Sequence, residues 1–297
     1  MKKFRVISIM ALSLCLSAVA FGAAACSDSE DSDGTTYITT AYAREAGSGT
    51  RSAFDELVVN SDGDSLANVA TFSDAVLTSS STGAVITAVA QSTTTLGYVS
   101  LGNALENSET IKAVNLNGVE ATNDNVSSGE YELSRPFILV YLTEQGLSDL
   151  EQNFIDYCES EAGQEIIEEY DFIPAAEEVV EYTAYEGTDT TLKLGGSTSM
   201  SDVMSAMAKA YMVENPSVTV TVEGGGSGTG ISGAGTDFNL GLASRDLKSG
   251  EEEETYTSIK IADDGIAVIV SVNCALTNVT FDQLYDIYAN GTKIECV

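Results

Sequence analysis

Between residues 51 and 59 the apolar positions recur at the three- and four-residue spacing of one helical face, just after a strand-like stretch at 37–43. The same succession repeats downstream. A capped helix is predicted over 81–91, followed by a strand at "LGYVSL", and residues 135–142 form an apolar run suited to a buried strand. One or two amphipathic helices are expected over 146–170, with Ala162-Gly163 as the break. Residues 175–191 are acidic, lack a period and read as a linker. Beyond them come a strand at "LKLGG", a helix over "SMSDVMSAMAKAYMVEN" stopped by Pro216, and strands at "SVTVTVEG" and 265–272. The last helix spans 280–291 with Thr280 as its N-cap. Strands alternating with helices of this length predict parallel sheets and an α/β fold.

Three of the predicted strand-to-helix junctions share one chemistry: "AREAGSGTRSAF" at 43–54, "LGGSTSM" at 194–200 and "GGGSGTGISG" at 224–233. A helix N-terminus carries unsatisfied N–H groups and the positive end of the dipole, which suits an oxyanion. Glycine lets the backbone close around such a ligand, while Ser and Thr add hydroxyl donors without adding charge. A single "GSGT" is by default a turn; three such loops before helices point to an anion site.

Composition narrows the chemistry. The 297 residues, 43% of them hydrophobic, suffice for two domains and a sizeable core. Histidine is absent, which removes Ser-His-Asp and Cys-His catalysis and most zinc sites. A formal charge of −32 repels nucleic acid and anionic membranes. It leaves room for a small anion, because screening at ordinary salt acts over about 8–10 Å. Beyond residue 26 the cysteines are Cys158, Cys274 and Cys296, an odd, widely spaced set that argues against a disulfide framework and against a metal site. Cys158 lies within a helical apolar rhythm and reads as a buried free thiol.

Residues 1–26 are an address label: a basic start, an apolar run and small residues before Cys26. They look like a bacterial lipoprotein signal, with Cys26 as the lipidated residue and 27–36 as a disordered tether. An ordinary cleaved signal and a retained membrane anchor are the alternatives, since 6–25 is long enough to span. Gly228, Gly230 and Gly233 also fit the dinucleotide-binding spacing G-x-G-x-x-G, but the acid expected after the next strand is misplaced.

The segments "REAGSGTRSAF", "STGAVITAVAQ…LGYVSLG", "YELSRPFILV" and "EAGQEII…FIPA" resemble the C-terminal half of bacterial phosphate-binding proteins (PstS), which feed phosphate ABC importers. "LGGSTSMSDVMSAMAKAYMVENPSVTVTVEGGGSGTGI", "LGLASRDLK" and "DDGIAVIVSVN…LTNVTFDQLYDIYANGTKI" resemble the N-terminal half, so the halves stand in reversed, circularly permuted order. The resemblance implies a two-lobed type 2 periplasmic-binding fold with a hinge, crossed at "FILVY" and "IAVIV". Lobe I would span 142–270, with 175–191 joining the old termini, and lobe II would combine 37–141 with 271–297. The new ends, "YITTAYA" and "GTKI", would then lie together; the competing arrangement is a swapped dimer.

Carried over residue by residue, the resemblance makes Arg44 the cationic anchor, with Ser48, Gly49 and Thr50 donating beside it. Thr198 and Ser199 would donate from the other lobe and Ser227 from the third loop, with Arg245 nearby. Asp264 is either the acid that accepts the proton of HPO4²⁻ or a turn residue of the pair Asp264-Gly265. The expectation is thus a lipid-anchored, extracytoplasmic phosphate-binding protein that partners the membrane permease of an ABC importer. It needs no metal or cofactor and is not an enzyme. The alternatives are a nucleotide- or phosphate-ester-binding enzyme using the Gly-rich loops, and a non-transporting sensor or relic.

Overall fold

Strands and helices alternate through residues 35–176, 179–251 and 255–296, the parts of the chain that the computed structural model describes. The leader, Cys26 and residues 27–34 of the expected tether lie outside them. The first part contains β1 (Tyr37–Ile38), β2 (Thr40–Arg44), α1 (Gly49–Leu57), β3 (Val76–Ser79), α2 (Thr82–Ala90), β4 (Thr95–Ser100) and α3 (Leu101–Glu106). Next come β5 (Ile111–Ala113), β6 (Asn115–Leu116), α4 (Asn123–Ser128), β7 (Ser134–Leu142), α5 (Asp149–Cys158), α6 (Glu161–Glu169) and β8 (Ile173–Pro174). The remainder holds β9 (Thr191–Gly196), α7 (Ser201–Glu214), β10 (Thr219–Gly224), α8 (Ser227–Gly233) and β11 (Leu240–Ala243). It ends with β12 (Tyr256–Ser271), β13 (Asn278–Val279), α9 (Phe281–Asn290) and β14 (Ile294–Glu295).

The principal sheet runs β10-β9-β11-β7-β12-β4-β2-β3. Strands that feed helices pair in parallel at each end, as expected: β9 with β10 and β11, and β2 with β3 and β4. The middle is antiparallel, through β11–β7, β7–β12 and β12–β4. The sheet is therefore mixed, because its two long central strands run in opposite directions and pair with each other.

Two large hydrophobic cores form around these two ends. One takes Phe54, Val85, Leu96, Tyr98, Leu133, Ile266–Val270 and Tyr288. The other takes Phe137, Leu139, Phe154, Leu194, Met204, Tyr211, Ile261 and Ala262. Each fully buried Leu, Ile or Phe side chain contributes about 1.5–3 kcal/mol of transfer free energy. The cores divide between Leu133 and Phe137 on one chain segment and between Ala262 and Ile266 on the other. "FILVY" thus packs beyond its crossing and "IAVIV" packs beyond the other. Both strands are buried on either side of the boundary, so hydropathy gives no mark of it.

Local chemistry sets the ends of the helices. Ser48, Ser81, Ser148 and Thr280 cap α1, α2, α5 and α9, the last two with full capping boxes through Glu151 and Gln283. The break in 146–170 falls at Glu159-Ser160 rather than Ala162-Gly163, because Ser160 caps α6. Gly163 serves a different purpose: a Cβ there would land on the carbonyl oxygens of Tyr157 and Cys158. The Gly-rich third loop is itself largely helix α8.

Residues 179–190 carry no strand or helix beyond an isolated Ser160–Val180 bridge. They lie against the second core. The Thr183 carbonyl accepts from Asn153 at 2.9 Å, the Tyr185 N–H donates to Asn215 at 2.7 Å, and the Tyr182 ring packs on Tyr157 with centroids 4.9 Å apart. On the first core β1 and β14 pair antiparallel, Tyr37 with Glu295 and Ile38 with Ile294. Both ends of the described chain meet on the first core.

Candidate functional site

Strand β2 buries Ala41 and Ala43 and delivers Arg44 at its end, where the chain turns through Gly47 into α1. Phe54 of α1 stacks on Tyr98 with centroids 3.9 Å apart, which fixes the helix over the sheet. Arg44 is 2% exposed. Its Nε and Nη2 donate to the two carboxylate oxygens of Glu45 at 2.9 and 2.8 Å, and its Nη1 donates to Thr82 Oγ1 at 2.9 Å. Ser48 Oγ accepts from the Arg51 N–H at 3.3 Å, so this hydroxyl is engaged as the N-cap.

The other core presents two junctions to the same place. After β9 the chain passes through Ser197, Thr198 and Ser199 into α7, and after β10 it turns through Gly226 into α8. Thr50 and Ser199 join by their hydroxyls at 2.9 Å, and Thr82 lies 3.3 Å from Thr198 Oγ1 and 3.4 Å from Ser199 Oγ. The Gly228 N–H donates to the Gly47 carbonyl at 2.9 Å. Gly49 is required here, since a Cβ would land on Ser227 Oγ. The starts of α1, α2, α7 and α8 therefore converge, with their N–H groups and hydroxyls, around one buried guanidinium. Such an array is chemically suited to hold an oxyanion mainly through dipoles.

Beneath it lies a second guanidinium. Arg135 Nε and Nη2 donate to Asp264 Oδ2 at 3.1 and 3.0 Å, and Nη1 donates to Ser244 Oγ at 3.2 Å. Ser100 Oγ donates to Asp264 Oδ1 at 2.9 Å. Burial raises the Asp264 carboxyl and lowers the Arg135 guanidinium, each opposed by the partner's charge. Ser244 relays this pair to the third loop: its N–H donates to Ser227 Oγ at 3.0 Å, and its Oγ accepts from Ser197 Oγ at 2.9 Å.

Of the residues singled out from sequence, Arg44, Gly49, Thr50, Thr198, Ser199 and Ser227 meet at this interface, with Ser48 capping the helix that enters it. Arg245 stands apart. Its Nη1 and Nη2 donate to Glu251 at 2.7 and 2.9 Å, and its Nε is buried without a hydrogen-bond partner. Asp264 is not a turn residue; it lies in β12 as the counterion of Arg135. The sequence reasoning missed Thr82, Arg135 and Ser244. "SSSTG" before α2 is a fourth junction of the same type and was a usable signal, whereas nothing local marks the other two.

The dinucleotide reading of Gly228, Gly230 and Gly233 finds another explanation. A Cβ on Gly230 would meet the carbonyls of Leu242 and Gly195, and one on Gly233 the ring of Phe238. These glycines seat α8 on β9 and β11. Among the described residues no helix is long and apolar enough to cross a membrane, and no group of His, Cys, Asp or Glu could hold a metal.

Residues 183–294 match the model of the PBP superfamily domain. A Streptococcus pneumoniae serotype 4 protein named phosphate-binding protein PstS 2 is 36% identical over 274 residues, 91% of this chain and 90% of its own. The protein of that name from Streptococcus agalactiae serotype V is 32% identical over 297 residues, 98% of this chain and 97% of its own. The crystal structure of a phosphate ABC transporter phosphate-binding protein from Streptococcus pneumoniae superposes with a TM-score of 0.66 at 35% identity. That superposition covers 86% of this chain and 97% of the other.

Proposed function

The chain belongs to the PstS family of phosphate-binding proteins, and from that premise we propose that it captures inorganic phosphate at the Arg44 cleft and delivers it to an ABC importer outside the cytoplasm. One observation carries the reading: four helix starts from two cores converge on a buried arginine whose third donor group rests on a neutral hydroxyl. Phosphate oxygens take over the hydrogen bonds that Thr50, Thr82, Thr198 and Ser199 now exchange among themselves. The two cores close on the anion, joined by the β7–β12 crossing. Asp264 acts through Arg135, holding the floor of the cleft, and does not accept the ligand's proton.

Attachment by acylated Cys26 belongs to the same reading and rests on the basic, apolar and small-residue pattern before it. So does the reversed order of the two halves in one complete two-lobed unit. The β1–β14 pairing supports it, as does the docked course of 179–190 on the second core.

Titration calorimetry tests the function. Phosphate should bind at one site per chain, with no binding of nucleotides. Heat from nucleotide binding but none from phosphate would overturn the reading.

A further inference from the structure

Ser197, Ser227 and Arg135 all reach one residue at the end of β11. Ser244 directly follows that strand and is fully buried. Arg135 Nη1 donates to Ser244 Oγ at 3.2 Å, and Ser197 Oγ donates to it at 2.9 Å. The hydroxyls of Ser244 and Ser227 lie 3.3 Å apart, and the Ser244 N–H donates to Ser227 Oγ at 3.0 Å. Ser227, the first residue of α8, is also fully buried, and its Oγ abuts the start of α1, where a Cβ on Gly49 would land on it.

A hydroxyl has one proton to give and two lone pairs to accept with, so the protons of this group can be counted. A guanidinium only donates, and Asp264 holds this one in place through hydrogen bonds of 3.1 and 3.0 Å. Arg135 and Ser197 together fill both acceptor positions of Ser244 Oγ. The Ser244 proton is left to Ser227 Oγ, its one further partner among the described residues. Ser227 Oγ then accepts twice, from the N–H and from the hydroxyl of Ser244. Its own proton must point away from Ser244, and none of the described residues accepts it.

We propose that Ser244 is a positioning residue for anion capture: it passes the donor-only character of Arg135 on to the Ser227 hydroxyl, which can then only donate into the cleft. The inference rests on the phosphate reading above and deepens it. The hydroxyls of Thr50, Thr82, Thr198 and Ser199 exchange hydrogen bonds among themselves and must turn to meet an anion. Ser227 needs no such turn. A donor fixed before the ligand arrives spares the cost of ordering it on binding. Ser244 contributes this without touching the anion, and its two hydrogen bonds with Ser227 carry the effect.

Calorimetric titration of the full chain with inorganic phosphate, run as a double-mutant cycle, tests the link. Ser227→Ala should weaken binding by roughly 10- to 150-fold, the loss of a hydrogen bond to a charged group. Ser244→Ala should weaken it by about 3- to 10-fold. The double variant should bind no more weakly than Ser227→Ala alone, because Ser244 acts only through that hydroxyl. Penalties that multiply would overturn the proposal, as would unchanged binding in Ser244→Ala. Ser244→Cys, which keeps the bulk and weakens the hydrogen bonds, takes the place of the alanine variant if that one does not fold. Failure of the unaltered chain to bind phosphate would remove the phosphate reading instead. The same cycle is then read with sulfate, whose oxygens also accept. Penalties that do not multiply there would retain the role of Ser244, and absence of sulfate binding would remove both readings.

Discussion

Arg44 and Arg135 are both buried, 2% and 3% exposed, yet they are held in opposite ways. Arg135 is paired with Asp264, an acid that water does not reach, and its remaining donor is taken by Ser244. Removing any member strands a desolvated charge, so the pair behaves as a fixed frame. Arg44 faces Glu45, whose side chain is 27% exposed, and hands its third donor group to the Thr82 hydroxyl. A neutral hydroxyl and a half-hydrated acid give up a guanidinium cheaply to an incoming anion. The same residue type is thus locked into a frame in one place and, in the proposed reading, left free to receive an anion in the other, and the burial of its acid partner makes the difference.

The largest test breaks the frame. Asp264→Ala should cost about 3–5 kcal/mol of stability, because it leaves Arg135 charged and unpaired in the interior. Urea unfolding would show it, and adding Arg135→Met should recover most of the loss. A mild single effect would mean that water already reaches the pair.

Next comes the receptor. Arg44→Ala should weaken phosphate binding by roughly 10- to 150-fold, the equivalent of about 1.5–3 kcal/mol for a charge-assisted hydrogen bond. Its effect on unfolding should be smaller than that of Asp264→Ala, since Glu45 can turn to water. Unchanged calorimetric binding would remove Arg44 from the site.

Thr82→Val sharpens the contrast at lower amplitude. Loss of the Arg44 acceptor should cost about 1 kcal/mol in the free protein. Phosphate affinity should change by less than tenfold if the anion replaces that hydroxyl; a loss equal to that of Arg44→Ala would make Thr82 a principal ligand.

The smallest effect concerns Arg245, the third buried arginine. Its hydrogen bonds hold the Glu251 carboxyl below its usual range. A depressed carboxyl contributes stability that is complete above the unfolded value near 4.3 and fades as pH falls through the folded one. Glu251→Gln should therefore lower stability by up to about 1 kcal/mol at neutral pH. The difference from the unchanged chain should shrink steadily below about pH 4. A difference that persists undiminished at pH 3 would place the stabilisation elsewhere.

Much of the site was legible because its chemistry is local. A Ser or Thr cap, a glycine and a helix start lie within a few residues of one another, so the junctions could be read from local chemistry. Arg44, Gly49, Thr50, Thr198, Ser199 and Ser227 were singled out through the family resemblance and meet in the structure where the two cores face each other. Arg245, singled out through the family resemblance, turns instead to Glu251 six residues on, a pairing that no local pattern signals. The break before α6 was misplaced by three residues for a similar reason: glycine marks close approach as readily as it marks an end.

The sequence by itself determined the class of the fold and the capped, glycine-rich junctions, since helix periodicity, capping and glycine turns are settled over distances of one or two helical turns. Tertiary structure decided which junctions face each other, where β7 and β12 pass from one core to the other, and that Arg135 takes Asp264, 129 positions away, as its counterion. Those outcomes depend on the mutual burial of groups far apart in the chain. Their energies exist only once water has been excluded between them.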